Sequence, residues 1–432
     1  METLITLGLL AVLILVFAVP YWIITGKQRR QSASRHEANA GTRQNEPVTL
    51  HPKIDLLNCI GCGSCVEVCP EDVLGLVDGH AAIIHGSRCV GHALCEAVCP
   101  VGAITMGFGK PREGMEIPYY DERYETNVPG LFIVGELGGV GLIRNAIRQA
   151  VTATDAIAER PRSGSPDIYD LLIVGGGPAG IAAALNATSH GLKYLLLEQE
   201  TIGGSILHYP RRKLVLTQPV DLPRYGTLKG PEISKEELLE MFSTIVAGNK
   251  LSILEGQKVR SAERVTGGFE VKTVTESYRA GSVVLATGRR GTPKKLGVPG
   301  EQLAKVMYKL LEAEQFQGQH ILVVGGGDSA VEAALGLSTQ KGNTVTLSYR
   351  RGAFVRLKEK NQHRLDNAVA ARKISLLLKS AVQEILPDAV RISVEGEETR
   401  ELKNDAVFIF AGGEMPAEFL RNCGIRPRAE GD

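Results

Sequence analysis

Hydrophobic and polar positions alternate along this chain in blocks of different kinds. From Thr3 to Thr25 no charged residue interrupts a stretch dominated by Leu, Ile, Val and Ala. As a helix that stretch covers roughly 34 Å, enough for a hydrocarbon layer of ~30 Å. Pro20, Tyr21 and Trp22 stand near its far end, and Lys27, Arg29, Arg30 and Arg35 follow at once. Aromatic residues favour the lipid–water boundary and positive flanks stay inside, so residues 3–25 are predicted to form one transmembrane helix in the cytoplasmic membrane. Everything after Thr25 would then face the cytoplasm. A cleaved leader is the alternative, with Ala38-Asn39-Ala40 as a cleavage-like triplet. It lacks the leading positive charge, and the triplet lies far downstream. Residues 26–49 are polar and read as a flexible tether.

Further on, short apolar runs lead into Gly-rich turns. Leu171–Val174 precedes one such turn and an Ala-rich helical stretch, and Tyr194–Leu197 follows as a second strand. Ile321–Val324 and Thr344–Ser348 repeat the arrangement, while Val283–Ala286 and Ala406–Phe410 supply further strands. Strand, turn and helix in this order predict an α/β fold with two Rossmann-like, three-layer domains.

Composition sharpens the picture only in part. The chain has 432 residues, 44% hydrophobic and 22% charged, which suits a globular protein of several domains. Lys plus Arg (49) nearly balance Asp plus Glu (48), giving a formal charge of +1. There is no basic field to follow a nucleic acid backbone, and nucleic acid is excluded as a partner.

Cysteine placement says more. Seven of the eight cysteines fall between Cys59 and Cys99, and only Cys423 lies elsewhere. A secreted disulfide framework would spread them through a small domain, so two tight runs point to ligation in a reducing compartment. Residues 59–70 read Cys-Ile-Gly-Cys-Gly-Ser-Cys-Val-Glu-Val-Cys-Pro, the C-x2-C-x2-C-x3-C-P spacing of an iron–sulfur segment rather than of a zinc site. Residues 89–100 repeat it with His92 at the second ligand position. Residues 50–106 thus resemble a bacterial-type two-cluster ferredoxin, a small α+β domain. The resemblance implies that Cys59, Cys62, Cys65 and Cys99 hold one [4Fe–4S] cluster. Cys89, Cys95 and Cys69 would hold the other, with His92 as the departure from the pattern. Either His92 ligates that cluster, raising its potential by removing a negative charge, or it points to solvent and the second site holds a [3Fe–4S] cluster or nothing.

The Gly-rich turns carry the remaining chemistry. At the first, Gly175 permits the turn, Gly177 lets a phosphate approach, Pro178 and Ala179 open a helix, and Gly180 lets that helix lie close on the strand. A pyrophosphate can rest on the helix N-terminus, and Glu198 ends the next strand where a carboxylate can accept from a ribose. The second turn has Gly325, Gly327, Asp328, Ser329 and Ala330, a G-x-G-x-x-A variant. Its second strand ends at Tyr349-Arg350-Arg351 with no acid, and guanidinium groups there suit a 2′-phosphate, favouring NADPH over NADH.

With Ala286-Thr287-Gly288 and Val298-Pro299-Gly300-Glu301 between these sites, residues 168–432 resemble the two-dinucleotide-domain flavoproteins of the thioredoxin-reductase-like group. The resemblance implies FAD on residues 168–290 and a nicotinamide cofactor on residues 291–415, with residues 416–432 left as a C-terminal tail. Gly203 and Gly204 match the family's close-approach glycines near the flavin. Homodimers occur in the family. One departure matters: Met307 to His320 contains no cysteine, whereas thioredoxin reductases proper carry a C-x-x-C pair there. Disulfide exchange with a thioredoxin then lacks its dithiol.

A second departure concerns order. The family's FAD-completing segment, T-x-V-P-G-L-F-x-x-G-D, appears not after Phe410 but at Thr126–Glu136, with Leu142 to Ala158 as its helix. Residues 115–160 read as a circularly permuted piece that finishes the FAD domain, with Gly135 and Glu136 at the flavin and Glu136 in place of the usual Asp. A decayed duplicate is the alternative. Together the resemblances imply an NAD(P)H-dependent oxidoreductase passing electrons between NADPH, FAD and iron–sulfur clusters, with an unknown one-electron acceptor or donor protein. A low-molecular-weight disulfide reductase and a non-enzymatic redox sensor are the rival readings.

Overall fold

The computed structural model describes residue 16 and residues 19–39, 50–108, 117–138, 141–209, 211, 214–216, 219–228, 233–289, 294–354, 357–412 and 416–429. The chain divides into two compact units, Met1–Lys110 and Pro111–Asp432.

In the first unit, helix α1 runs Val19–Asn39. Residues 3–15, 17 and 18 of the expected transmembrane segment lie outside the described residues, and no described helix is long and apolar enough to cross a membrane. The tether expected at 26–49 is helical as far as Asn39. No Pro or Gly occurs between Gly26 and Asn39, and the Ala, Arg, Gln and Glu residues there are good helix formers. The helix also has a surface to rest on. Gly75 lies beneath Ser32, where an added Cβ would come 2.8 Å from the Ser32 hydroxyl, and the His36 ring donates to the Ile83 carbonyl at 3.1 Å.

The rest of this unit is small and doubled. Strand β1 (Leu50–Ile54) pairs antiparallel with β4 (Ile104–Phe108), in register Leu50↔Phe108 to Ile54↔Ile104. Between them lie a one-turn helix α2 (Ser64–Glu67), the hairpin β2–β3 (Leu74–Val77, His80–Ile83) and a second one-turn helix α3 (Leu94–Ala97). Its core gathers Cys65, Val73, Leu74, Ala81, Cys95 and Ile104.

The second unit contains two α/β layers. The first is a seven-stranded sheet built on parallel strands β5 (Leu131–Ile133), β6 (Tyr169–Val174) and β7 (Tyr194–Leu197) and the long β8 (Ser277–Leu285). β8 runs parallel to β6 on one side and to β5 on the other. Helix α4 (Ile143–Ala158) lies in one core with helix α5 (Pro178–Ser189), burying Ile147, Ala150, Ile181 and Leu185. The Ala-rich faces let these two helices approach closely. The second layer is a five-stranded parallel sheet ordered Val306–Met307, Ala406–Ile409, His320–Val324, Thr344–Tyr349 and Ile374–Leu378, covered by helices Asp328–Ser338 and Glu359–Ala370.

Residues 416–429, expected as part of a tail, are instead folded into the first sheet's core. Leu420, Cys423 and Ile425 are buried with Leu131, Ile133 and Val283. The strand-like end then pairs with the segment before β5. Pro427 bridges Pro118 in antiparallel sense, the Arg428 amide donates to the Ile117 carbonyl, and the Tyr119 amide to that of Arg426. The Asn127 side chain clamps the join, its amide nitrogen donating to Gly424 O and its oxygen accepting from Arg426 N. Apolar burial is the reason: three hydrophobic side chains in a short helix and turn find a face that the sheet leaves open.

Candidate functional site

Four thiols surround one hollow in the first unit. Cys59, Cys62, Cys65 and Cys99 line it, with Gly61, Gly63, Ala81 and Ile104 filling the gaps between them. Gly61 (φ +64°) cannot be replaced without conflict, because a Cβ there would stand 1.9 Å from the Gly79 carbonyl oxygen. Gly63 (φ 84°) caps α2, which carries Cys65. Backbone amides are aimed at the sulfurs: Ala81 N–H to Cys59 Sγ at 3.4 Å, Ala103 N–H to Cys99 Sγ at 3.2 Å and Val73 N–H to Cys69 Sγ at 3.4 Å. Such donors stabilise negative charge on a ligating sulfur.

Burial pushes the Cys65, Cys89 and Cys95 thiols up to about 11, while hydrogen bonding to the Ser64 backbone and hydroxyl holds Cys62 below its usual value. A buried thiol of this kind becomes a thiolate when iron displaces its proton. All eight cysteines are free. Among the described residues no three His, Cys, Asp or Glu side chains converge on a single-ion site. Thiols spaced around a hollow and capped by amide donors fit a polynuclear iron–sulfur cluster.

The second run copies the first loop. Gly91 (φ 72°) repeats Gly61, and Ala93 (φ 58°) stands where the first run has Gly63, each capping its one-turn helix. His92, half-buried, therefore takes the place of Cys62 in the loop. Cys89 and Cys69 lie near enough to Cys95 to raise its thiol further.

In the second unit the first Gly-rich turn is closed by steric necessity. A Cβ on Gly175 (φ +109°) would stand 2.6 Å from the Ala286 carbonyl oxygen, and one on Gly180 would stand 1.8 Å from that of Gly175. Gly204 approaches from the far side, its Cβ position 2.9 Å from Gly177 Cα, and Gly203 is held under Leu239. Pro178 opens α5, so its missing N–H costs nothing at the first helical position. Glu198 is 5% exposed. One of its oxygens accepts from the Gly176 amide and the other from the Glu200 amide, leaving lone pairs for a ribose hydroxyl.

The Gly135–Glu136 turn stands beside this one. The Gly135 amide donates to Gln149 Oε1 at 2.7 Å, and its Cβ position is 3.3 Å from Ala179 Cβ. The Glu136 side chain is exposed and lies along Gly141, just ahead of α4. Thr287 and Gly288 follow the carboxyl end of the strand between the two turns, where ligands of open α/β sheets bind.

The second Gly-rich turn differs at the expected acid. Gly175 N–H bonds Leu197 O, and correspondingly Gly325 N–H bonds Ser348 O, so Tyr349 occupies the place of Glu198. Its ring lies directly on Gly326 and stacks on Phe354 at 5.0 Å. Arg350 is exposed and Arg351 half-buried. Gly327 caps the following helix with open space about it, Ser329 is exposed and Ala330 buried. Asp328, expected at the cofactor, accepts through one carboxylate oxygen from Asn361 Nδ2 at 2.7 Å and the Lys358 amide at 3.2 Å. Sequence alone also misses Arg289 and Tyr120. Arg289 donates to the Glu136 carbonyl, and the Tyr120 hydroxyl donates to the Gly138 carbonyl at 2.6 Å, both bracing the Gly135 turn.

Two strand–turn–helix repeats in one unit and a four-thiol centre in the other define a two-dinucleotide-fold reductase with an iron–sulfur domain. The comparisons agree. A family model described as pyridine nucleotide-disulphide oxidoreductase matches residues 172–432, and one described as a 4Fe-4S dicluster domain matches residues 58–103. The chain therefore belongs to the pyridine nucleotide-disulphide oxidoreductase family. A ferredoxin–NADP reductase of Streptococcus equi subsp. zooepidemicus is 30% identical over 235 residues, 53% of this chain and 64% of that protein's length. A thioredoxin reductase of Bacillus subtilis is 30% identical over 273 residues, 60% of this chain and 78% of that protein. Among solved structures, the bacillithiol disulfide reductase Bdr of Staphylococcus aureus superposes with a TM-score of 0.55 at 27% identity, covering 59% of this chain and 79% of its own. The chain is accordingly an oxidoreductase whose family implies FAD and NAD(P)H, with a 4Fe–4S domain added.

Proposed function

We propose that this protein passes electrons between NADPH and iron–sulfur clusters by way of FAD, in the manner of a ferredoxin–NADP reductase with its ferredoxin built in. FAD, when bound, accepts a hydride and releases electrons singly, which is what joining a two-electron donor to one-electron centres demands. Glu198 would take the adenosine ribose, the Gly175–Gly180 turn and the start of α5 the pyrophosphate, and the Gly135–Glu136 turn the flavin end. Arg350 and Arg351 would hold a 2′-phosphate. Cys59, Cys62, Cys65 and Cys99 would hold the first cluster, and Cys69, Cys89, Cys95 and His92 the second. The copied loop supports the last of these, since it presents His92 as the first loop presents Cys62.

The observation that carries the reading is the four-thiol hollow in one chain with two Gly-rich turns, and with no cysteine from Met307 to His320. We read residues 115–160 as a permuted part of the FAD domain, supported by the parallel pairing of β5 with β8 and by the junction of 117–127 with 424–428. Residues 3–25 would anchor the protein in a membrane; Val16, Val19 and Ile23, all exposed, support that reading. Purification without oxygen, with flavin and iron quantified and paramagnetic resonance of the NADPH-reduced protein, tests the proposal. Reduced clusters seen with NADPH and lost in Cys59→Ser protein are expected. The S. aureus relative favours a second reading, reduction of a low-molecular-weight disulfide, which would survive that substitution.

A further inference from the structure

Arg289 presents an unmet need. It follows Ala286-Thr287-Gly288 at the carboxyl end of β8, between the turns that end β5 and β6. Its Nε donates to the Glu136 carbonyl at 3.2 Å, which fixes the guanidinium against the Gly135 turn. Its Nη2 is buried and has no hydrogen-bond partner among the described residues. A bare donor on a charged group costs more than one on a neutral group. Native structures rarely carry that cost unless a ligand relieves it.

The neighbours say which ligand. On one side, the Gly175 turn abuts the Ala286 carbonyl, three residues before Arg289. On the other, the Gly135 turn, to which Arg289 is bonded, abuts Ala179 in the first turn of α5. Both contacts lead to the helix N-terminus that faces a pyrophosphate. That terminus offers amide donors and a partial charge but no full positive charge, and none of Gly175, Gly176, Gly177, Pro178, Ala179 or Gly180 supplies one. A guanidinium is the side chain that best matches a phosphate, through paired N–H donors in a fixed plane.

We infer that Arg289 binds the diphosphate of FAD through Nη2, supplying the fixed positive charge that the Gly-rich turn lacks. The inference rests on the FAD assignment under the proposed function and adds a residue outside the Gly-rich motifs to it. Arg289 thus has two duties, one bond to the protein and one to the cofactor.

The test uses the purified holoprotein, its FAD release followed by fluorescence on dilution at low and high salt, with the flavin midpoint potential measured alongside. Arg289→Gln is expected to weaken FAD retention about ten-fold or more and to flatten its dependence on salt, since a charged contact worth over ~1.4 kcal/mol is removed. The midpoint potential should stay as in the wild type, because the contact is remote from the ring, and Arg289→Lys should recover part of the loss. Unchanged retention in Arg289→Gln overturns the inference. So does a shifted potential, which would place the contact at the isoalloxazine, or an equal loss in Gln and Lys variants with unaltered salt dependence, which would make Arg289 only a brace for the Glu136 turn. Wild-type protein without FAD would overturn the underlying assignment instead.

Discussion

Replacing Gly180 by Ala is the most exacting perturbation of the first dinucleotide turn. Helix propensity alone favours the change, since Ala in place of a helical Gly gains about 1 kcal/mol. The packing opposes it. A Cβ at Gly180 would stand 1.8 Å from the Gly175 carbonyl oxygen, a backbone atom that cannot rotate aside, and 3.5 Å from Leu196 Cδ1. Relief requires α5 and the turn to separate by more than about 1 Å, and strain of that kind costs typically 1–3 kcal/mol. The net expectation is a loss of up to about 2 kcal/mol in chemical denaturation. The displaced atoms include the first amides of α5, so FAD retention after gel filtration should fall about ten-fold. Ala330→Gly is the control. The second turn already accommodates a Cβ there, so the change should cost about 1 kcal/mol of helix propensity and leave FAD bound. Gly180→Ala protein that keeps its full flavin and unfolds at higher denaturant would refute the steric argument.

Ala93 holds a left-handed φ of 58°, which costs a non-glycine residue roughly 1 kcal/mol, so Ala93→Gly should raise the midpoint of thermal unfolding. No rise, or a fall, would mean the loop relaxes without the cluster. Ile147 is fully buried where α4 meets α5, and Ile147→Ala should destabilise by about 2–5 kcal/mol and release FAD with it in a urea titration. Leu420→Ala should cost about 2–4 kcal/mol and open the 416–429 segment to limited proteolysis, an outcome a free tail would not give. Burial pushes the Glu301 carboxyl up, but bonds from the Leu296 amide, the Tyr308 hydroxyl and the Gly297 amide outweigh it and hold its pKa below 4.5. Its contribution is present above that value and fades as pH falls through the lower folded one; Glu301→Gln should therefore flatten the acid limb of the stability curve.

Local chemistry decided what could be read from residue order. Gly180 is legible because its steric demand, the Gly175 carbonyl, lies within a few residues, Gly175 and Gly177 because they share the spacing of that turn, and the cysteine runs because their spacing is itself a ligand pattern. Residues 416–429 were not legible, because the partners of Leu420, Cys423 and Ile425 lie some three hundred positions earlier, as the Asn127 bond to Gly424 shows. Residues 26–39 misled for another reason. A polar stretch without Pro suits a solvated coil and a helix alike, and only the seat offered by Gly75 separates them. Asp328 is placed at the second turn by the motif around it, but its bonds to Asn361 and Lys358, some thirty residues on, are not legible from residue order. Arg289 was hidden because its partner is a backbone carbonyl 153 residues away.

The closure of the flavin sheet by residues 416–429 also sets an order of birth. On the ribosome, residues 50–108 emerge with both strands of their β1–β4 pair in hand and can fold while synthesis continues. The larger half has its first strand at Leu131 and waits for Ile425 to seal the same core, so it matures only after Ile425 has emerged. The smaller unit can thereby close on contacts of its own well before the larger one has the last piece of its core.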